Sequence, residues 1–291
     1  MREDRTNITR FKIEPESKCS VNDVVVIEEP LQIELLHNNQ LQTYSITMRT
    51  PGNDQYLAYG LLFSENVISH ASDIESITNS TVKEVVEANL LTVKIVASIA
   101  LNLDDQARRL ASYSGCGICG KTSLKALNLK NPRQPRKLQL TLSCSDILKA
   151  REILSKQPLF SGTGGSHVAG VVYETNADET SVYETDADKM LGDEQARLDF
   201  VSAKCFEDVG RHNALDKLIG FELVDNNLSK PGVVILSGRV GFELVQKVVM
   251  AGYSTIIALG APSSLAIKTA NQFGLTLIGF AKDEQYNLYT F

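Results

Sequence analysis

Tryptophan is missing from the 291 residues, and that absence decides nothing by itself. Other shortages exclude more. No apolar run approaches the length that crosses a bilayer, and residues 1–20 hold none of the apolar core of a secretory leader, so no membrane association is expected. The five cysteines are odd in number and lack framework spacing, which argues against a secreted disulfide scaffold and for the cytoplasm. Positive charge is short as well. Lys and Arg number 29 against 35 Asp and Glu, a net charge of −6 that suits no general nucleic-acid binder, although a local basic pocket can still hold a phosphorylated ligand. Histidines are four and scattered, and there is a single Cys-x-x-Cys, so no metal site is read from the sequence.

What is present is the composition of a folded protein, 43% hydrophobic and 22% charged, with length for one large or two medium domains. Its densest stretch is Ser112-Tyr113-Ser114-Gly115-Cys116-Gly117-Ile118-Cys119-Gly120-Lys121-Thr122. Glycine stands before, between and after the two thiols, so little can shield the sulfurs or hinder the backbone. The following residues 121–127 read as a helix, which places Cys116 and Cys119 at its N-terminus, where N–H groups and the dipole favour a thiolate. Lys121 is a cation within reach of them. A buried structural role, a zinc half-site and a thioredoxin-like redox pair are the competing readings. Two cysteines in a glycine frame make poor core material, Cys144 and Cys205 stand alone, and no βαβ pattern leads into the motif. The motif specifies a reactive thiol without naming its reaction.

In chain order, residues 1–20 are polar and read as a loose arm, and 21–135 as an α+β region ending in the cysteine loop and its helix. Strands are expected at 24–27, 31–35 and 43–49, a helix at 54–64, and further strands around 82–87 and 91–95. A basic, proline-punctuated linker at 131–137 leads into 136–291, read as an α/β domain. A helix over 145–155 precedes Gly162-Thr163-Gly164-Gly165-Ser166-His167, a glycine-rich loop whose N–H groups suit phosphate but which is no Walker A or dinucleotide fingerprint. The sequence Val172-Tyr173-Glu174-Thr175-Asn176-Ala177-Asp178 is echoed at 182–188, and the carboxylates of 172–194 mark a solvated excursion rather than a catalytic or calcium site.

A second dense stretch, Glu207-Asp208-Val209-Gly210-Arg211-His212-Asn213-Ala214-Leu215-Asp216-Lys217, has a helical apolar face, and its Arg211, His212 and Asn213 read as a phosphate or base reader. Beyond it the pattern is β-α-β-α-β: strands at 233–236, 255–259 and 275–280, with helices at 240–251 and 263–273. That order predicts parallel strands with ligands beyond their carboxyl ends, so 237–239, 261–264 and 280–283 should converge on one edge.

Cys116-Gly117-Ile118-Cys119-Gly120, Thr163–His167, 207–217, Ser237-Gly238-Arg239 and Gly279-Phe280-Ala281, in that order, resemble the FdhD family, the formate dehydrogenase accessory sulfurtransferases. The resemblance runs from about Arg49 to the C-terminus. It implies a cytidine-deaminase-like α/β/α domain and a cytoplasmic carrier that passes persulfide sulfur from a cysteine desulfurase to the bis-guanine-dinucleotide molybdenum cofactor, for the formate dehydrogenase apoenzyme. It implies that Cys116 carries the persulfide, beside Cys119, and that Phe280, Ala281, Lys282, Asp283, Glu284 and Gln285 bind the cofactor. Gly164, Gly165, His167, Arg211, His212 and Arg239 join that binding set on the strength of their loops, with GDP as an analogue of the ligand. A homodimer is compatible with this reading. Deamination is not implied, since the H-x-E and P-C-x-x-C signature of zinc deaminases is absent. The alternative is a non-catalytic cofactor chaperone whose Cys-x-x-Cys binds a metal. Stoichiometric zinc would favour that, and a cyanide-labile sulfur on Cys116 the carrier.

Overall fold

The computed structural model describes residues 3–15, 17–82, 85–99, 101, 133–175, 196–282 and 285–291. They fall into two compact units that interleave along the chain. The first comprises Met1–Lys130, Pro158–His167 and Glu207–Val224, and the second Asn131–Gln157, Val168–Phe206 and Asp225–Phe291.

In the first unit, β1 (Arg5–Glu14) and β2 (Ser17–Val26) pair antiparallel from Arg5↔Val26 to Glu14↔Ser17. The loose arm expected over 1–20 is therefore corrected to a hairpin. Its side chains are largely polar and exposed, so no hydrophobic alternation announced it, and backbone pairing alone carries the ladder. β3 (Glu29–His37) shows the alternation that was legible: Leu31, Ile33 and Leu35 are buried between partly open Gln32 and Glu34. With β4 (Gln40–Arg49), β5 (Ile74–Val82) and β6 (Val85–Ile95) it forms a sheet of order β4-β3-β6-β5. Where one strand was expected around 82–87, the structure has β5 ending and β6 beginning. The apolar run there belongs to the two sides of a hairpin.

Helices α1 (Asp54–Ser64) and α4 (Arg211–Val224) cross within this unit at two glycines. A Cβ on Gly60 would run into the Asp216 carbonyl, and one on Gly220 into the carbonyl of Tyr56. The backbones therefore approach as only glycine permits. Edge-on packing of Tyr56 against Phe221, ring centroids 5.4 Å apart, flanks the crossing.

The second unit contains a six-stranded sheet of order β12-β11-β10-β9-β7-β8. Its strands are β7 (His167–Thr175), β8 (Arg197–Asp208), β9 (Gly232–Leu236), β10 (Thr255–Ala258), β11 (Thr276–Lys282) and β12 (Gln285–Thr290). β9, β10 and β11 are parallel, as the β-α-β-α-β pattern predicts, and β7 and β12 run antiparallel to their neighbours. Every residue of β9 and β10 is buried, which is why these strands read as unbroken apolar runs. The helices are α2 (Cys144–Ser155), α5 (Phe242–Ala251) and α6 (Ser264–Gln272); α3 (Pro158–Thr163) belongs to the first unit. Ser143 and Asp146 cap α2 reciprocally, and Ser263 caps α6 by accepting from Ala266 N–H at 3.2 Å. No helix among the described residues is long and apolar enough to cross a membrane.

One correction concerns the acidic echo. Its first residues are not a solvated excursion: Val172 is fully buried in β7, and Tyr173 nearly so under the Lys230 ammonium 5.4 Å above its ring. Glu174 accepts the N–H groups of Gln139 and Leu140 at 2.7 and 2.8 Å. Its charge is spent on backbone donors rather than on water. Residues 176–195 lie outside the described residues.

Candidate functional site

At the carboxyl end of the parallel strands the loops meet, as expected. Beyond β9 and β10, Leu259 N–H donates to Leu236 O at 3.0 Å, Val240 N–H to Ala261 O at 3.0 Å, and Ser263 N–H to Val240 O at 2.9 Å. Phe280 N–H donates to Gly260 O at 3.2 Å and brings the end of β11 to the same place. The approach is close enough that a Cβ on Gly260 would lie 2.6 Å from Arg239 N and from Gly238 O. Ser237 is tied to β7, its N–H donating to Val168 O and its Oγ accepting from Val168 N–H at 2.8 Å. His167, the first residue of β7, directly precedes that Val168.

Of the expected binding residues here, Arg239 is exposed on this edge and Ala281 is buried. Phe280 is 40% exposed with φ +51°, a backbone conformation that costs a bulky side chain energy and persists where surrounding structure enforces it. The enforcing structure is the irregular β11–β12 pairing between Gly279 and Lys282, with Lys282 opposite exposed Gln285. Asp283 and Glu284 lie outside the described residues.

The glycine-rich loop belongs to the first unit. Residues Pro158–Thr163 of it form the short helix α3, whose leading N–H groups, Leu159 and Phe160, donate to the Glu207 carboxylate at 3.0 and 2.5 Å. Gly164, at φ +64°, donates to Phe160 O, and Gly165 N–H to Thr163 Oγ1 at 3.1 Å. These four donors serve the fold, so an anion at Gly164 and Gly165 would be met by the rest of the loop.

The 207–217 stretch divides in the same way. Asp208, fully buried, accepts Lys217 Nζ at 2.7 Å, Thr50 N–H at 3.2 Å and Gly210 N–H at 2.8 Å. Burial pushes its carboxyl above the ordinary value, with the Lys217 charge and the Gly210 N–H opposing. Lys217 also donates to the carbonyls of Thr50 and Glu207. Asn213, grouped by the sequence with the anion readers, instead donates to Met48 O at 2.7 Å and accepts from Thr47 Oγ1 at 3.2 Å. Asp216 accepts from Ser64 Oγ at 3.3 Å. Arg211 and His212, both half-buried, open α4.

Sequence reasoning missed the hub that these residues serve. Arg49, fully buried, donates to Asp54 through Nε and Nη2, both at 2.9 Å, and to Asn89 at 2.9 Å, with Glu29 at 3.5 Å. The adjoining Thr50 is held by Asp208, Val209 and Lys217. Arg49 next to a Thr-Pro-Gly-Asn turn and Asp54 was its one local signal. Cys116 and Cys119 lie outside the described residues. The described cysteines are Cys19 and Cys144, both exposed, and half-buried Cys205. Among the described residues no three His, Cys, Asp or Glu are grouped to hold a metal ion.

Fold and edge define a mixed α/β protein whose parallel strands end in converged loops. The model of the FdhD/NarQ family matches residues 26–186 and 199–291. The chain belongs to the FdhD/NarQ family. It is 34% identical over 287 residues to the sulfur carrier protein FdhD of Saccharolobus solfataricus, covering 98% of this chain and 95% of that protein. The corresponding figures for the sulfur carrier protein FdhD of Thermoplasma acidophilum are 35% over 271 residues, 92% and 86%. Among solved structures, a protein of Desulfotalea psychrophila described as a formate dehydrogenase accessory protein shares the fold, with TM-score 0.69, 21% identity, and coverage of 99% and 98% of the two chains.

Proposed function

We propose that this protein is a sulfur carrier serving formate dehydrogenase in the cytoplasm. Cys116 takes sulfane sulfur from a cysteine desulfurase and delivers it to the bis-guanine-dinucleotide molybdenum cofactor, which is bound as substrate. The observation that carries this reading is the glycine-framed Cys116-Gly117-Ile118-Cys119-Gly120, which falls inside the stretch matched to the family. In loading, the Cys116 thiolate attacks the terminal sulfur of the donor's persulfide. The donor's S–S bond breaks, its thiolate leaves, and Cys116 becomes the persulfide. Cys119 is the companion thiol.

For the cofactor, the reading takes the edge built by Arg239 and the segment from Phe280 to Gln285, with Lys282, Asp283 and Glu284 between. Support comes from the convergence of the loops after β9, β10 and β11, and from the enforced exposure of Phe280. Gly164, Gly165, His167, Arg211 and His212 complete the proposed set. The deaminase-like description of the sheet belongs to this reading, supported by its parallel core. So does a homodimer.

The test is mass spectrometry after incubation with a cysteine desulfurase and cysteine. Wild type should gain the mass of one sulfur and Cys116→Ala none. Normal loading of Cys116→Ala would remove Cys116 from the role, and loss of loading only in Cys119→Ala would transfer the role there.

A further inference from the structure

Around Arg211 the polar groups are already engaged. Asp208, three positions earlier, is paired with Lys217 at 2.7 Å, and Glu207 accepts the N–H groups of Leu159 and Phe160. Asn213, two positions later, is bonded to Met48 O and Thr47 Oγ1. Arg211 is the exception. Its Nε is buried and has no hydrogen-bond partner among the described residues, and none of their carboxylates pairs with its charge.

That arrangement is costly. A guanidinium keeps its charge at any accessible pH, and a donor left unmade in the interior costs about 1–3 kcal/mol. Groups of this kind persist where something outside the chain completes them. The completing group must be an anion, since guanidinium only donates. Arg211 is also the first residue of the fourteen-residue α4, an end whose N–H groups and dipole favour negative charge.

We propose that Arg211 holds a phosphate group of the ligand, specifically the pyrophosphate of a guanine nucleotide. This rests on the nucleotide-binding part of the reading above and names which group Arg211 recognises. The planar fork of arginine matches two phosphate oxygens, and a ligand that supplies them satisfies the buried Nε at the same time.

The experiment is calorimetry with inorganic pyrophosphate, GDP and guanosine, together with melting curves of the unliganded protein. Wild type should bind pyrophosphate and GDP, and guanosine more weakly. Arg211→Met should melt no lower than wild type, because it removes an unsatisfied buried donor, yet bind pyrophosphate about tenfold or more weakly. Arg211→Lys, which keeps the charge without the fork, should fall between them. A lower melting temperature with pyrophosphate affinity intact would make Arg211 a structural residue and overturn the proposal. Unchanged affinity at an unchanged melting temperature would overturn it equally. If the Met variant does not fold, the Lys variant carries the same decision. GDP binding that survives Arg211→Met but is lost in Arg239→Ala would overturn this assignment alone, whereas failure of wild type to load sulfur would sink the carrier reading instead.

Discussion

At the scale of single residues, the charged groups of 207–217 do two kinds of work that one string of letters cannot separate. Lys217 is almost fully buried and serves Asp208, Thr50 O and Glu207 O together. Removing it as Lys217→Met leaves Asp208 buried without a counter-charge, which should cost roughly 3–5 kcal/mol at neutral pH. The Asp208 carboxyl, already raised by burial, then moves further up. A carboxyl whose folded value exceeds its unfolded value adds stability that is complete below the unfolded value and is lost as pH rises through the folded one. The deficit of Lys217→Met should therefore shrink on acidification, and urea unfolding across that pH range reads it. Asp208→Asn/Lys217→Met should recover most of the loss at neutral pH. A single variant as destabilised in acid as at neutrality would mean that the lost lysine contacts with the Thr50 and Glu207 carbonyls, and not the orphaned carboxylate, set the cost.

At the scale of elements, what was legible was local. Leu31, Ile33 and Leu35 announce β3 by alternation, and the apolar runs at 233–236 and 255–258 announce parallel strands, because burial on one or both faces writes directly into neighbouring letters. What was illegible depends on residues far apart. Lys217 meets Thr50 across 167 positions, so neither flank of either residue signals the other. The α1–α4 crossing is of this second kind, since Gly60 and Gly220 sit in helices with no special local pattern. Gly220→Ala should force the helices apart and destabilise the protein by about 1–3 kcal/mol, with Gly60→Ala similar. Gly241→Ala, where a Cβ meets nothing within 4 Å, is the control and should stay within about 1 kcal/mol of wild type. Equal unfolding midpoints for all three would show that the crossing is not a tight one.

At the scale of the whole molecule, an acidic chain is proposed to bind a polyanion, which its net charge of −6 opposes. Screening limits that opposition to about 8 Å at physiological salt, so the charges that matter are those beside the ligand. The acidic segment is the strongest test of this. Residues 187–198 fall between the two stretches matched to the family, whereas Tyr173 and Glu174, just before the segment, are built into the second unit. The family's common core is therefore complete without 187–198, and the carboxylates of Asp188, Asp193 and Glu194 are expected away from any phosphate. Deleting 187–195, while keeping Glu174 and the start of β8 at Arg197, should leave sulfur loading and pyrophosphate affinity within about twofold. Shortening a connection changes closure entropy only by some tenths of a kcal/mol, so the melting temperature should hardly move. A deletion variant that melts like wild type but loses loading would show instead that the acidic segment is a surface for the sulfur donor. One that gains pyrophosphate affinity severalfold would place its carboxylates within a Debye length of the phosphate site.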